Sequence, residues 1–212
     1  MPRLSTSTAT LFRFRFSLRA LRDEDAFHQF QGFAKELQSW EDAGEIDLYY
    51  FDESGFSQRS NLPYGWSPVG QSTRLKSYSH SKRLNVLGFM NRRQKLIFHT
   101  TEERVDSAQV VALFNKLAES KDPLKNAVVL LDNASVHRSA EFRRHRWDWM
   151  DKSIWPIYFP KYSPELNLIE ILWRKVKYNW LPLGSHETFE RLKESVTDVL
   201  SKFGQEYKIN FI

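Results

Sequence analysis

Ala127-Val128-Val129-Leu130-Leu131-Asp132 is an unbroken apolar run that stops on a carboxylate. Its length and lack of polar alternation predict a central strand buried on both faces. The flanks agree. Residues 106–120 set Val110, Val111, Leu113, Phe114 and Leu117 at helical spacing behind a capping Asp106 or Ser107. Residues 139–150 read as a helix and 154–159 as a second apolar strand.

Further out, residues 46–52 alternate and are rich in tyrosine and phenylalanine, as a strand should be. Residues 84–90 and 95–100 read as a hairpin joined at Asn91-Arg92-Arg93. A helix is expected over 20–43, carried by Leu21, Phe27, Phe30, Phe33, Leu37 and Trp40 and closed by Gly44. Near the C-terminus, Ser163-Pro164-Glu165-Leu166-Asn167-Leu168-Ile169-Glu170 opens a helix running to about residue 180, and a final helix covers 187–203. The economical way to bury these faces is an α/β fold, a mixed sheet flanked by helices, forming one domain over 21–212. Residues 1–20, rich in Thr and Ser and then alternating Phe with Arg, read as a disordered or remnant tail.

Three carboxylates occupy telling places. Asp52 and Asp132 end apolar strands, where loops leave room above an open sheet, and Glu170 lies in the first turns of the helix after 163. An acid at a strand end also serves as a turn or cap, and Asn167-x-x-Glu170 has the spacing of a capping box. Glu165 reads as an exposed charge favoured by a helix start. Glu53 should face away from Asp52 and reads as a surface carboxylate. Trp173, one turn beyond Glu170, reads as core. If the three acids converge, hard oxygen donors select magnesium or manganese. Two such ions about 4 Å apart support in-line displacement at phosphorus.

Composition narrows the classes. The 212 residues contain no cysteine, which excludes disulfides and thiolate chemistry and suits a reducing cytosol; no apolar run is long enough to span a membrane. The net charge is +5, and its distribution says more than its size. Between Ser54 and Thr101 there is no acid, while Arg59, Arg74, Lys76, Lys82, Arg83, Arg92, Arg93 and Lys95 are interleaved with Tyr64, Trp66 and Tyr78. Such a run suits a polyanion, and Arg74, Lys76, Lys82, Arg83, Arg92, Arg93 and Lys95 are the candidate DNA contacts. The second cluster, Arg143, Arg144, His145 and Arg146, is mixed with Glu141 and Asp148 and reads as an ordinary surface helix.

The segments Tyr49-Tyr50-Phe51-Asp52-Glu53-Ser54-Gly55, Leu131-Asp132-Asn133-Ala134-Ser135-Val136-His137 and Pro160–Trp173 together resemble the three signature blocks of DDE transposases. The resemblance is to the mariner-type superfamily and, within it, the bacterial insertion-sequence-630 family, and it covers about residues 20–205. It implies a ribonuclease-H-like fold with two Mg2+ or Mn2+ ions held by Asp52, Asp132 and Glu170, and Asn133 and His137 supporting the site. The implied activity is DNA cleavage and strand transfer on double-stranded DNA, both element ends and target, by a cytoplasmic, nucleoid-associated bacterial protein, with a homodimer as an expected assembly. A catalytically silent DNA-binding remnant and a stand-alone nuclease are the alternatives. Where the family usually has proline, this chain has Leu168. The residues before 46 show no recognition-helix pattern, so binding of element ends is expected from a separate helix-turn-helix polypeptide.

Overall fold

The computed structural model describes residues 18–59 and 82–211. Arg74, Lys76 and most of the expected tail lie outside the described residues; the end of that tail, Leu18–Leu21, is a single 3-10 turn. Five strands make one mixed sheet: β1 (Ile46–Ser57), β2 (Arg83–Asn91), β3 (Leu96–Thr101), β4 (Asn126–Leu131) and β5 (Ile154–Tyr158). Their order is β3-β2-β1-β4-β5. β1, β2 and β3 pair antiparallel, while β4 runs parallel to β1 and β5 parallel to β4. The helices are α1 (Glu24–Ala43), α2 (Ser107–Ser120), α3 (Ala140–Asp151), α4 (Ile169–Lys175) and α5 (Phe189–Ser201).

The layers follow from side-chain parity. Even-numbered Leu48, Tyr50, Val128 and Leu130 join a core with Leu37 of α1, Leu172 and Trp173 of α4, and Leu192 and Val196 of α5. Odd-numbered Tyr49, Phe51, Val129 and Leu131 join a second core with Phe114 and Leu117 of α2 and Phe142 and Trp149 of α3. Residues 127–131, at most 7% exposed, are buried on both faces, as their unbroken apolarity requires. Pro156 is tolerated in β5 because that strand is an edge. Among the described residues no helix is long and apolar enough to cross a membrane.

The local signals work largely as expected. Asp23 caps α1 by accepting from Ala26 N–H, and Gly44 ends it in the left-handed conformation at φ 80°. Asp106 and Gln109 form a reciprocal capping box on α2.

Two elements differ from their expected form. β1 does not stop at Asp52; it runs on to Ser57 because β2 continues to pair with it, Asp52 opposite Gly88 and Ser57 opposite Arg83. Only the parallel pairing with β4 ends before Asp52, at Tyr50–Leu130. The helix after 163 is also not continuous. A 3-10 turn at Pro164–Leu166 precedes α4, and a wider π turn follows at Val176–Trp180, where Leu181 N–H donates to Val176 O.

Candidate active site

The parallel register sets two of the acids side by side. Tyr50 pairs with Leu130, so two residues further along each chain Asp52 and Asp132 emerge together, on the face that α4 covers. Glu170, in the first turn of α4, lines the same cleft, a space of about 440 Å³ that also touches Asn133, Lys161 and Asn167.

Asp52 is the deepest of the three acids. Trp173 donates its indole N–H to Asp52 Oδ2 at 3.1 Å. Burial pushes the Asp52 carboxyl up to about 7, and the charges of Glu170 and Asp132 push the same way. Glu170 is raised by burial and by Asp132, against Lys177 and Arg174. Asp132 goes the other way: burial alone would raise it, but hydrogen bonds from His137 and from Ala134 N–H hold it below the usual range.

His137 is 2% exposed and lies between two carboxylates. Its Nδ1 is 2.8 Å from Asp132 Oδ1 and its Nε2 is 3.3 Å from Glu53 Oε1. Burial favours its neutral form, yet these two acids prevail and push it up to about 9. Glu53 faces away from Asp52 as parity requires, but it is not a surface carboxylate: its side chain is 28% exposed and turned to His137. Asn133 donates to Phe159 O and accepts from Arg138, tying the residue after Asp132 to the end of β5.

Asn167 does not form the expected capping box. Its side-chain N–H2 reaches across to Phe51 O at 3.0 Å, 116 residues away, and α4 starts with no side-chain cap. The carboxylate of Glu170 is thereby left to the cleft. Glu165 pairs with Arg22 at 2.8 Å instead of standing free at the helix start. Trp173 is core, 2% exposed, and is in addition the donor to Asp52, a role its apolar neighbours do not announce. Lys177 also escaped the sequence reading. It stands 5.3 Å over the Phe56 ring, burial lowers it, and Glu170 and Asp52 oppose that lowering. Its signal was present: it lies seven residues after Glu170, two helical turns along the same face.

Among the described residues, the basic side chains at 82–83 and at 92–95 stand apart. Lys82 and Arg83 lie at the end of the sheet beyond Asp52. Arg92, Arg93 and Lys95 lie about 27 Å away at the other end of β2, a nine-residue strand. There Arg92 pairs with Glu41 at 3.2 Å and Asp42 at 3.0 Å, Arg93 donates to Glu41 O, and Lys95 reaches Ser120 O. They hold the C-terminal ends of α1 and α2, which charge counting along the sequence does not foresee.

The donor set suits a hard divalent cation: three carboxylates share one cleft, two of them with raised proton affinity that a cation would relieve. Among the described residues no three acids or histidines stand close enough together to enclose an ion as they are. Asp132 and Glu170 are exposed on the rim and Asp52 forms the floor.

A five-stranded mixed sheet of this order, antiparallel on one side of β1 and parallel on the other, with helices on both faces, is a ribonuclease-H-like fold. The chain belongs to the DDE superfamily endonuclease family, which residues 47–193 match. The insertion element IS630 uncharacterized 39 kDa protein of Shigella sonnei is 23% identical over 132 residues, 62% of this chain and 38% of that protein. The catalytic domain of Mos1 mariner transposase superposes with a TM-score of 0.56 at 12% identity, covering 90% of this chain and 85% of that one. The Mos1 mariner paired-end complex with Mn superposes at 0.60 with 14% identity, covering 94% of this chain and 62% of that one. These distant likenesses establish the fold. The chain spans 38% of the length of its insertion-element relative and 62% of the Mos1 chain in the Mn complex.

Proposed function

We propose that residues 21–212 are the catalytic domain of a DNA transposase, cutting phosphodiester bonds and joining the freed ends to other DNA. The observation that carries this reading is the meeting of Asp52, Asp132 and Glu170 in one cleft, with Asp52 raised to about 7 by burial and by the other two. In this reading the three hold Mg2+ or Mn2+, two ions, which would supply charge neutralisation at the attacking and leaving oxygens.

The chain's own residues prepare that cleft. Trp173 fixes the Asp52 carboxylate, His137 fixes Asp132, and the Asn167 latch to β1 holds the start of the segment that delivers Glu170. In the first step water attacks phosphorus and leaves a 3′-hydroxyl and a 5′-phosphate. In the second that 3′-hydroxyl attacks a target phosphodiester, conserving the number of such bonds. Double-stranded DNA is the substrate, with Lys82 and Arg83 as contacts at the near end of the sheet. Arg92, Arg93 and Lys95, engaged with α1 and α2, serve the fold. Recognition of element ends falls to a helix-turn-helix polypeptide, and pairing two ends calls for a homodimer. The setting is the bacterial cytoplasm and nucleoid.

The test is incubation with supercoiled plasmid and magnesium or manganese beside Asp52→Ala, Asp132→Ala and Glu170→Ala. Metal-dependent nicking by the wild type, abolished in all three variants, is expected. Nicking that survives them overturns the site. DNA binding without any nicking identifies a silent remnant, and hydrolysis without joined product, when 3′-hydroxyl ends are supplied, identifies a nuclease.

A further inference from the structure

α3 carries a pattern that the cleft does not use. Residues of a helix advance by about 100° each, so Arg143, Arg146 and Trp147 share one side, while Glu141, His145 and Asp148 turn to another and Phe142 and Trp149 are buried. His145 and Asp148 pair with each other at 3.3 Å. Among the described residues no carboxylate pairs with Arg143 or Arg146, and Trp147 is 70% exposed. The helix as a whole is mixed in charge, but this side of it is not.

The basic side continues past the helix to the cleft. Arg138 lies 5.6 Å from the centre of the Tyr158 ring, and Tyr158 donates its hydroxyl to His137 O at 2.6 Å. Burial raises that hydroxyl above its ordinary value, against the field of Arg146, Arg138 and Arg143, and α3 packs against β5, the strand that carries it. Arg138 also donates to Asn133, which lines the cleft beside Asp132. Arg138 thus links the rim of the cleft to β5, against which α3 packs.

We propose that Arg138, Arg143 and Arg146, with Trp147 beside them, form a track for the phosphodiester backbone of DNA where it leaves the cleft. The proposal rests on the transposase reading only in taking DNA as the ligand. Guanidinium forks match phosphate oxygens, and an exposed indole offers a flat face to a sugar or base. α3, twelve residues long, extends about 18 Å, room for roughly five nucleotides at about 3.4 Å each. The track follows α3 across the α2–α3 side of the sheet, and neither end of the hairpin formed by β2 and β3 belongs to it.

The test uses the full chain, a fluorescein-labelled duplex and EDTA, so that cleavage plays no part. Binding is measured across a potassium chloride series for wild type, Arg143→Ala/Arg146→Ala and a control, Lys35→Ala/Lys202→Ala, that removes the same charge from α1 and from the residue after α5. The track variant is expected to lower the log–log salt slope by about 1.8, two contacts at roughly 0.9 each, with the control close to wild type. Trp147→Ala is expected to weaken binding roughly fivefold at unchanged slope. An unchanged slope in the track variant, or an equal fall in the control, overturns the proposal. If the slope falls as expected but the wild type never nicks plasmid with metal, the track stands and the transposase reading fails. Lys35, Arg143, Arg146 and Trp147 are exposed and Lys202 is partly so, and circular dichroism melting checks that each variant folds.

Discussion

The indole N–H of Trp173 donates to Asp52 Oδ2 at 3.1 Å, joining α4 to β1 across 121 residues of chain. Gly88, the β2 partner of Asp52, leaves the room for it: a Cβ there would stand 3.3 Å from Trp173 Cη2. The floor of the cleft is therefore set by a tryptophan that fills the core and still donates one hydrogen bond out of it. Trp173→Phe keeps most of the packing and removes the donor. The expected result is a stability loss of about 1–3 kcal/mol, seen by urea unfolding, and at least a tenfold slower metal-dependent nicking rate. Wild-type nicking by this variant would remove Trp173 from any part in the site.

Gly88→Ala tests the same relationship from the other side. The added methyl group meets Trp173, Leu96 and Ile169 at 3.3–3.6 Å in a packed interior, so a loss of about 1–3 kcal/mol is expected. Nicking should fall further than stability alone explains, because the displaced ring carries the donor to Asp52. Trp173→Phe and Gly88→Ala combined should cost less than the sum of the two, which a double-mutant cycle measures.

The metal-free protein should resent a high pH at Asp52. The folded-state carboxyl titrates near 7, whereas its ordinary value is 3.8, so between those values the folded chain holds more proton and stability falls as pH rises. Asp52→Asn removes this cost. It is expected to stabilise the metal-free protein by on the order of 2–4 kcal/mol at about pH 8, with the gain vanishing below about pH 4. Thermal melts across pH in EDTA check this; a variant less stable than wild type at high pH contradicts it.

Asn167→Ala cuts the latch to Phe51 O. The residue is 5% exposed, and its loss leaves a buried carbonyl without its donor, costing about 1–3 kcal/mol. The start of α4 should then exchange its amide hydrogens faster while α2 and α3 keep their protection, and hydrogen exchange with mass spectrometry reads both. Uniform loosening of the whole domain would argue against a local latch.

Arg92→Ala should be a stability mutation. Glu41 is 1% exposed, and burial already raises its carboxyl against the pull of Arg92. Removing that partner strands a buried acid, with an expected cost of about 3–5 kcal/mol in urea unfolding. The salt slope of DNA binding should stay within about 0.3 of wild type, less than one phosphate contact. A slope lower by a full contact would return Arg92 to the DNA-facing set.

Much of the site was legible in the chain because its signals are local. The unbroken apolar run 127–131 demanded a strand buried on both faces, and it is one. Strand parity separated Asp52 from Glu53, and helical spacing put Trp173 one turn beyond Glu170. Where the local signal had two uses, the sequence could not choose between them. Asn167 has the residue type and spacing of a cap, but its amide turns to a strand edge that only folding brings within reach. Glu53 has the look of a surface acid, but its partner His137 is 84 residues further on. Lys82, Arg83, Arg92, Arg93 and Lys95 are close in sequence, yet the nine extended residues of β2 carry the first two and the last three to opposite ends of the sheet. Sequence alone determined which residues face which side of each element. The tertiary structure decided which faces meet, since strand register and helix docking depend on the whole core and not on any single segment.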